Sequence, residues 1–331
     1  MTAKQRFREL GDLALESGEV IRDFRQSYVA HGALNAAKDN AVLICSSIAG
    51  TAHRLDFLIG PGLALDPARF FVIGTDAIGN GRSTSPSNST SQPGMAFPRF
   101  TIRDMVAAQA SLVREAFGIE RLAAVAGASM GGMQALQWAV SHPDAMRAVV
   151  ALVPLAKSPP WTHAVNETSR NILMADPAWN GREFTAWPAR GFRAWADFMQ
   201  TIVGRTPPGL ADLDAAAFLA AREAEAAERR FAAEDWLYQT WGYDAHDVGT
   251  TPGFDGDTAA ALRSVRARTL VLGPPLDLYN PVEEQRWAAA QIPGARFVEI
   301  PSPNGHFASN AGRPEDVAFI NAEIAAFLAA I

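Results

Sequence analysis

One stretch constrains this chain more than any other: Leu122-Ala123-Ala124-Val125-Ala126-Gly127-Ala128-Ser129-Met130-Gly131-Gly132-Met133-Gln134-Ala135-Leu136-Gln137-Trp138. A run of small and branched apolar residues ends in Gly127-x-Ser129-x-Gly131, and a helix-compatible segment follows at once. This reads as a buried strand, a sharp turn with serine at its apex, and a helix. A backbone strained at the serine leaves no room for bulk beside it, and Gly127 and Gly131 meet that demand. The Ser129 hydroxyl is thereby held clear of the sheet, where a histidine can take its proton. Met130 opens the helix, so its free N–H points toward any developing oxyanion.

Other apolar runs repeat the strand signal at 41–45, 69–74, 148–153, 269–273 and 296–300, with a shorter one at 27–29. Helical spacing occupies 101–117, the segment after Ser129 up to His142-Pro143, and 314–330. Buried strands alternating with helices predict an α/β fold, a mostly parallel sheet covered on both faces. Residues 1–25 read as a charged, partly helical lead-in. After Pro154 the pattern changes: 158–253 is rich in Ala, Glu, Arg and Trp, and 213–236 reads as one long helix. The expected division is a core of 1–155 and 254–331 with a helical lid, 156–253, inserted over the mouth of the sheet. Six of the eight tryptophans fall in that insertion, more as packing than as ligand contacts.

Composition narrows the function classes. With 331 residues, 48% hydrophobic and 19% charged, the chain is expected to be a soluble globular protein with a large core. A net charge of −6 without a basic run argues against nucleic acid as a partner. Charges interrupt every apolar cluster of the first ten residues, so no signal peptide is expected there. Nothing approaches an apolar span of about 18 residues, so no membrane partner and a cytoplasmic location are expected. The single cysteine, Cys45, permits no intrachain disulfide and reads as a buried strand residue. The six histidines show no metal-ligand spacing, so no metal is expected. The loop Gly79-Asn80-Gly81-Arg82-Ser83 lacks the lysine of a phosphate cradle and reads as a structural turn.

Three residues carry the chemistry. Ser129, Asp277 and His306 occur in that chain order, each just past the C-terminal end of an expected strand. Loops at that edge of a parallel sheet converge, so distant residues can meet there. His306 would accept the Ser129 proton, and Asp277 would fix the tautomer of His306 and stabilise its cation. Asp255 and Asp257 compete for the acid role but precede the strand at 269–273, at its wrong end. This is the order of an α/β-hydrolase triad, and in that topology the loop after the strand at 41–45 supplies a second oxyanion donor. Ile48, by its backbone N–H, is the candidate beside Met130.

The segment 127–138 resembles the nucleophile signature of the homoserine O-acetyltransferase family. Gly32-Ala33-Leu34-Asn35, Ile59-Gly60-Pro61-Gly62, the run 97–106, His246-Asp247-Val248 and Asp277-Leu278-Tyr279-Asn280-Pro281 extend the likeness from about residue 28 to the C-terminus. It is strongest over 28–150 and patchy in the lid. The resemblance implies an α/β-hydrolase fold with a helical lid and an acyl-serine intermediate. It further implies acetyl-CoA as acyl donor, with no resident cofactor, and a homodimer formed through the lid. Two departures stand out. The family's aspartate after the catalytic histidine is here Phe307, and its lid Tyr-Arg pair is replaced by Ile202-Val203-Gly204-Arg205. An amino-acid acceptor brings two charges that need polar partners once desolvated. The expected activity is therefore cleavage of a small-molecule ester, or acyl transfer to a less polar acceptor. Homoserine acetylation is the alternative, and a non-catalytic binding protein the least favoured reading.

Overall fold

The computed structural model describes residues 3–211, 213–228 and 231–331. Eight strands form one sheet: β1 (Arg6–Ala14), β2 (Val20–His31), β3 (Ala41–Cys45), β4 (Phe71–Thr75), β5 (Leu122–Ala128), β6 (Met146–Leu152), β7 (Arg268–Gly273) and β8 (Arg296–Glu299). Their order is β1-β2-β4-β3-β5-β6-β7-β8, with β1 and β2 antiparallel to their neighbours and the rest parallel.

The central parallel strands β3, β4 and β5 are buried at every residue because both faces are covered, whereas β8 at the edge is charged and exposed at both ends. Alternate residues feed opposite cores. Leu43, Cys45, Val125, Val149 and Ala151 share one cluster with the helices α1 (Ile102–Phe117) and α2 (Met130–Ser141). Val42, Ile44, Ala124, Ala126, Val150 and Leu152 pack on the other face against Leu55, Leu58, Ile320, Ile324 and Phe327. The start of α1 is held by a reciprocal pair, Thr101 and Asp104, each side chain accepting from the other's backbone N–H.

The chain then leaves the sheet between β6 and β7. Here lie α3 (Pro160–Met174), α4 (Ala189–Asp197) running into a π-helical turn at Phe198–Val203, α5 (Pro207–Leu210), α6 (Ala215–Glu228) and α7 (Ala233–Asp244). Phe192, Trp195, Phe231 and Trp236 stack edge to face at their centre, with Trp195 and Trp236 centroids 4.7 Å apart. This cluster continues into Met130, Met133 and Tyr279, so the helices sit on the edge that carries Ser129. The chain returns through α8 (Thr258–Arg263) to β7, α9 (Val282–Gln291), β8 and α10 (Pro314–Leu328).

Two expectations need correction. Within the lead-in expected over 1–25, residues 6–14 and 20–25 are strand and not helix: β1 and β2, the latter containing the strand expected at 27–29, form a hairpin turned at Gly18, which has a φ of +86°. The pairing slips between Glu9 and Gly11 and again between Gly11 and Leu13, which breaks the period of two that would have revealed it. Charged residues suit β1 because it is an exposed edge. The single helix expected over 213–236 is two, α6 and α7, since Ala232 is extended (φ −70°, ψ 139°) where Phe231 turns into the aromatic cluster. Residues 229 and 230, within that expected helix, lie outside the described residues.

Candidate active site

Ser129 sits between β5 and α2 with φ 58° and ψ −123°, a conformation that an L-residue holds only when its surroundings impose it, at about 1–3 kcal/mol. Its N–H is tied to the Leu152 carbonyl at 2.9 Å. The two glycines are demanded by contact: a Cβ on Gly127 would drive into the Gly131 carbonyl, and one on Gly131 into the Cys45 carbonyl. The same crowding presses the turn against the loop that follows β3.

His306 Nε2 lies 2.9 Å from Ser129 Oγ, and its Nδ1 lies 2.8 Å from Asp277 Oδ2. All three side chains are buried. Asp277 Oδ1 accepts from the N–H groups of Tyr279 and Asn280, each at 2.8 Å, and Gln285 Nε2 donates to Oδ2 at 3.3 Å. A carboxylate so placed accepts from Nδ1–H, which leaves the Nε2 lone pair facing the serine hydroxyl. The arrangement can therefore take a proton from Oγ and return it to a leaving group. Asp255, exposed, and Asp257, which caps α8 by accepting from Ala260 N–H, belong to the turn before β7.

Met130 is the first residue of α2, and Ile48 lies half-buried in the loop after β3. Among the described residues neither N–H has an acceptor within the protein. Ser47 Oγ donates to Ala128 O at 2.7 Å, and Ser47 O accepts from Gly50 N–H, which orients the Ser47–Ile48 peptide. Ala49 is held at φ 50°, its N–H donated to Gln239 Oε1 at 2.9 Å.

The helices over the sheet contribute groups that sequence reasoning missed. Tyr243 of α7 donates to Asn280 Oδ1 at 2.6 Å, while Asn280 Nδ2 donates to Val153 O at 2.7 Å. Burial pushes that phenol well above its ordinary range, so it stays neutral. Tyr279 sets its ring edge-on to His306 at 5.1 Å and donates to Asn166 Oδ1 at 2.7 Å. The segment Asp277-Leu278-Tyr279-Asn280-Pro281 was visible as a motif, but a lone tyrosine in a helix gives no sequence signal of what it faces.

Phe307, next to His306, packs its ring on Gly204 and donates its N–H to Gly204 O at 3.0 Å. Arg205 lays its guanidinium over the rings of Phe307 and Phe218 and donates to Gln200 O at 2.5 Å. Among the described residues no group of three or more His, Cys, Asp or Glu could hold a metal ion, and no helix is long and apolar enough to cross a membrane.

Comparison with known proteins bears on the fold and the family. Residues 40–309 match the model of the alpha/beta hydrolase fold. A homoserine O-acetyltransferase from Leptospira biflexa is 33% identical, over 89% of this chain and 86% of its own; one from Thermobifida fusca is 34% identical, over 91% and 89%. An acetylester hydrolase from Corynebacterium glutamicum superposes with a TM-score of 0.92 at 30% identity, over 98% of this chain and 96% of its own. The acetyl esterase MekB superposes with a TM-score of 0.92 at 29% identity, over 98% and 97%. The chain is a divergent member of the homoserine O-acetyltransferase family of α/β-hydrolases.

Proposed function

We propose that this protein is a serine acyl-transfer enzyme that cleaves a small ester through an acyl-serine, with acetyl esters as the substrate class. The observation that carries this reading is the unbroken hydrogen-bonded line from Ser129 through His306 to Asp277. His306 takes the Ser129 proton as Oγ attacks the ester carbonyl. The N–H groups of Met130 and Ile48 hold the oxyanion, and His306 passes the proton to the departing alcohol. Asp277 keeps the tautomer and offsets the imidazolium charge. Helices α3–α7, residues 156–253, act as the lid over this centre.

Ester cleavage is favoured over transfer to homoserine by what surrounds His306. The neighbouring side chain is the phenyl ring of Phe307, and Arg205 is engaged by two rings and a carbonyl. The likeness to two acetyl esterases supports the same reading. The relatives named homoserine O-acetyltransferase keep the transferase as second reading, with acetyl-CoA as donor. Ser129→Ala is expected to abolish turnover of p-nitrophenyl acetate and labelling by a fluorophosphonate; retained turnover overturns the assignment. Release of CoA from acetyl-CoA only when homoserine is added would select the transferase instead.

A further inference from the structure

A line of three buried side chains runs from α2 through α1 to the loop after β3. It starts at the Trp138 indole, which can only donate and gives its Nε1–H to Gln109 Oε1 at 2.8 Å. The Gln109 amide is thereby fixed in one sense, and its Nε2 donates to Gln134 Oε1 at 2.6 Å. That bond fixes Gln134 in turn and leaves its Nε2 facing two carbonyls, Ser46 O and Met130 O, each at 3.0 Å. An amide nitrogen has two hydrogens, one for each. Gln134 is wholly buried, so its amide has no water to turn to.

The two carbonyls matter by their place in the chain. Met130 carries one of the N–H groups assigned to the oxyanion, and Ser46 stands two residues before Ile48, which carries the other. They belong to separate elements, the first turn of α2 and the end of β3. The two lie close: a Cβ on Gly131 would strike Cys45 O and crowd Ser46 O, so a side chain one turn into α2 can reach across. The Ser47 hydroxyl already ties this loop to β5 through Ala128 O, and Gln134 ties it to the helix.

We infer that Gln134 is a positioning residue for the proposed acyl transfer: its amide sets the spacing between the Met130 and Ile48 N–H groups, so that both converge on one oxygen. The inference rests on the acyl-serine reading and on its oxyanion assignment. Gln134 moves no proton and, being wholly buried, touches no substrate. Its effect is confined to the stage at which charge gathers on the carbonyl oxygen, so it belongs to kcat and not to substrate binding.

Gln134→Met keeps the length of the side chain and removes both donated bonds. Its kcat for p-nitrophenyl acetate is expected to fall about tenfold or more, short of the roughly hundred- to thousandfold loss of an oxyanion donor removed outright, with KM within about twofold. Inhibition by trifluoroacetone, whose adduct on Ser129 carries the oxyanion, should weaken by the same factor. Gln137 is the control, because it lies on the same helix, is equally buried and gives its Nε2 hydrogens to Ser141 Oγ and Thr251 Oγ1. Gln137→Met shares the cost in stability and should leave kcat and trifluoroacetone inhibition unchanged. Should Gln134→Met not fold, Gln134→Glu keeps the bond from Gln109, cannot serve both carbonyls, and should show the same pattern. An unchanged kcat in a folded variant, a loss confined to KM, trifluoroacetone inhibition retained while kcat falls, or an equal rate loss in Gln137→Met would overturn the inference. Failure of the acyl-serine reading itself is distinct: turnover would then survive Ser129→Ala.

Discussion

Asp277→Asn tests the proposed mechanism at its most specific point, because the surroundings of Asp277 dictate how the new amide must sit. Two backbone N–H groups, of Tyr279 and Asn280, converge on Oδ1 at 2.8 Å each. An amide nitrogen there would meet two donors with nothing to accept them, so the asparagine oxygen must take that place. The long 3.3 Å bond from Gln285 to the other oxygen is too weak to reverse this choice. The NH2 group then faces His306 Nδ1, which must accept, and the imidazole proton moves to Nε2. His306 now donates to Ser129 and cannot take its proton. In serine proteases the same substitution lowers kcat by about four orders of magnitude through the same wrong tautomer, about 5.4 kcal/mol of barrier. The same loss is expected in kcat for p-nitrophenyl acetate, with KM within a few-fold and the fold intact by circular dichroism. Asp255→Asn, in the exposed turn before β7, should leave kcat/KM within about twofold. A loss below tenfold for Asp277→Asn, or a loss confined to KM, would refute the reasoning.

Other predictions concern the seat of α7. Burial lifts the Asp235 carboxyl to about 7, despite hydrogen bonds from the Ser87 hydroxyl and N–H that favour the charged form. The folded state thus binds a proton that the unfolded state releases near pH 4, so this group's contribution is full below pH 4 and is lost as pH rises through 7. Asp235→Asn should stabilise the protein at pH 8 by up to about 4 kcal/mol and leave it within about 1 kcal/mol of wild type at pH 4. Urea unfolding at both pH values checks this, and an equal effect at the two would sink it. Gln239→Leu removes the acceptor that holds Ala49 and should lower kcat about tenfold or more with little change in KM, by loosening the proposed oxyanion loop. Steady-state kinetics on p-nitrophenyl acetate check this, and a loss confined to KM would refute it.

Much of the site was legible because its parts are local. The elbow needs glycine on both sides of Ser129, and the parallel strands need unbroken apolar runs on both faces, so both requirements are written into short segments. Asp277 and His306 were legible from chain order and from their place just past β7 and β8. Other parts left no local trace. The β1–β2 hairpin hid behind two register slips and a solvent-facing row of charges. The break between α6 and α7 follows from where Phe231 packs, not from a helix-breaking residue.

The chain's residues by themselves determined that a strained serine would stand at the end of a buried strand, with a histidine and an acid on later loops. Tertiary structure decided the rest. It set Tyr243 of α7 to donate to Asn280 Oδ1, 37 positions further along the chain, and it turned the Asn280 amide nitrogen to the Val153 carbonyl. The physical reason is range. Backbone strain and apolar periodicity act over a few residues, whereas the direction of a hydrogen bond depends on partners that meet only when the helices close over the sheet.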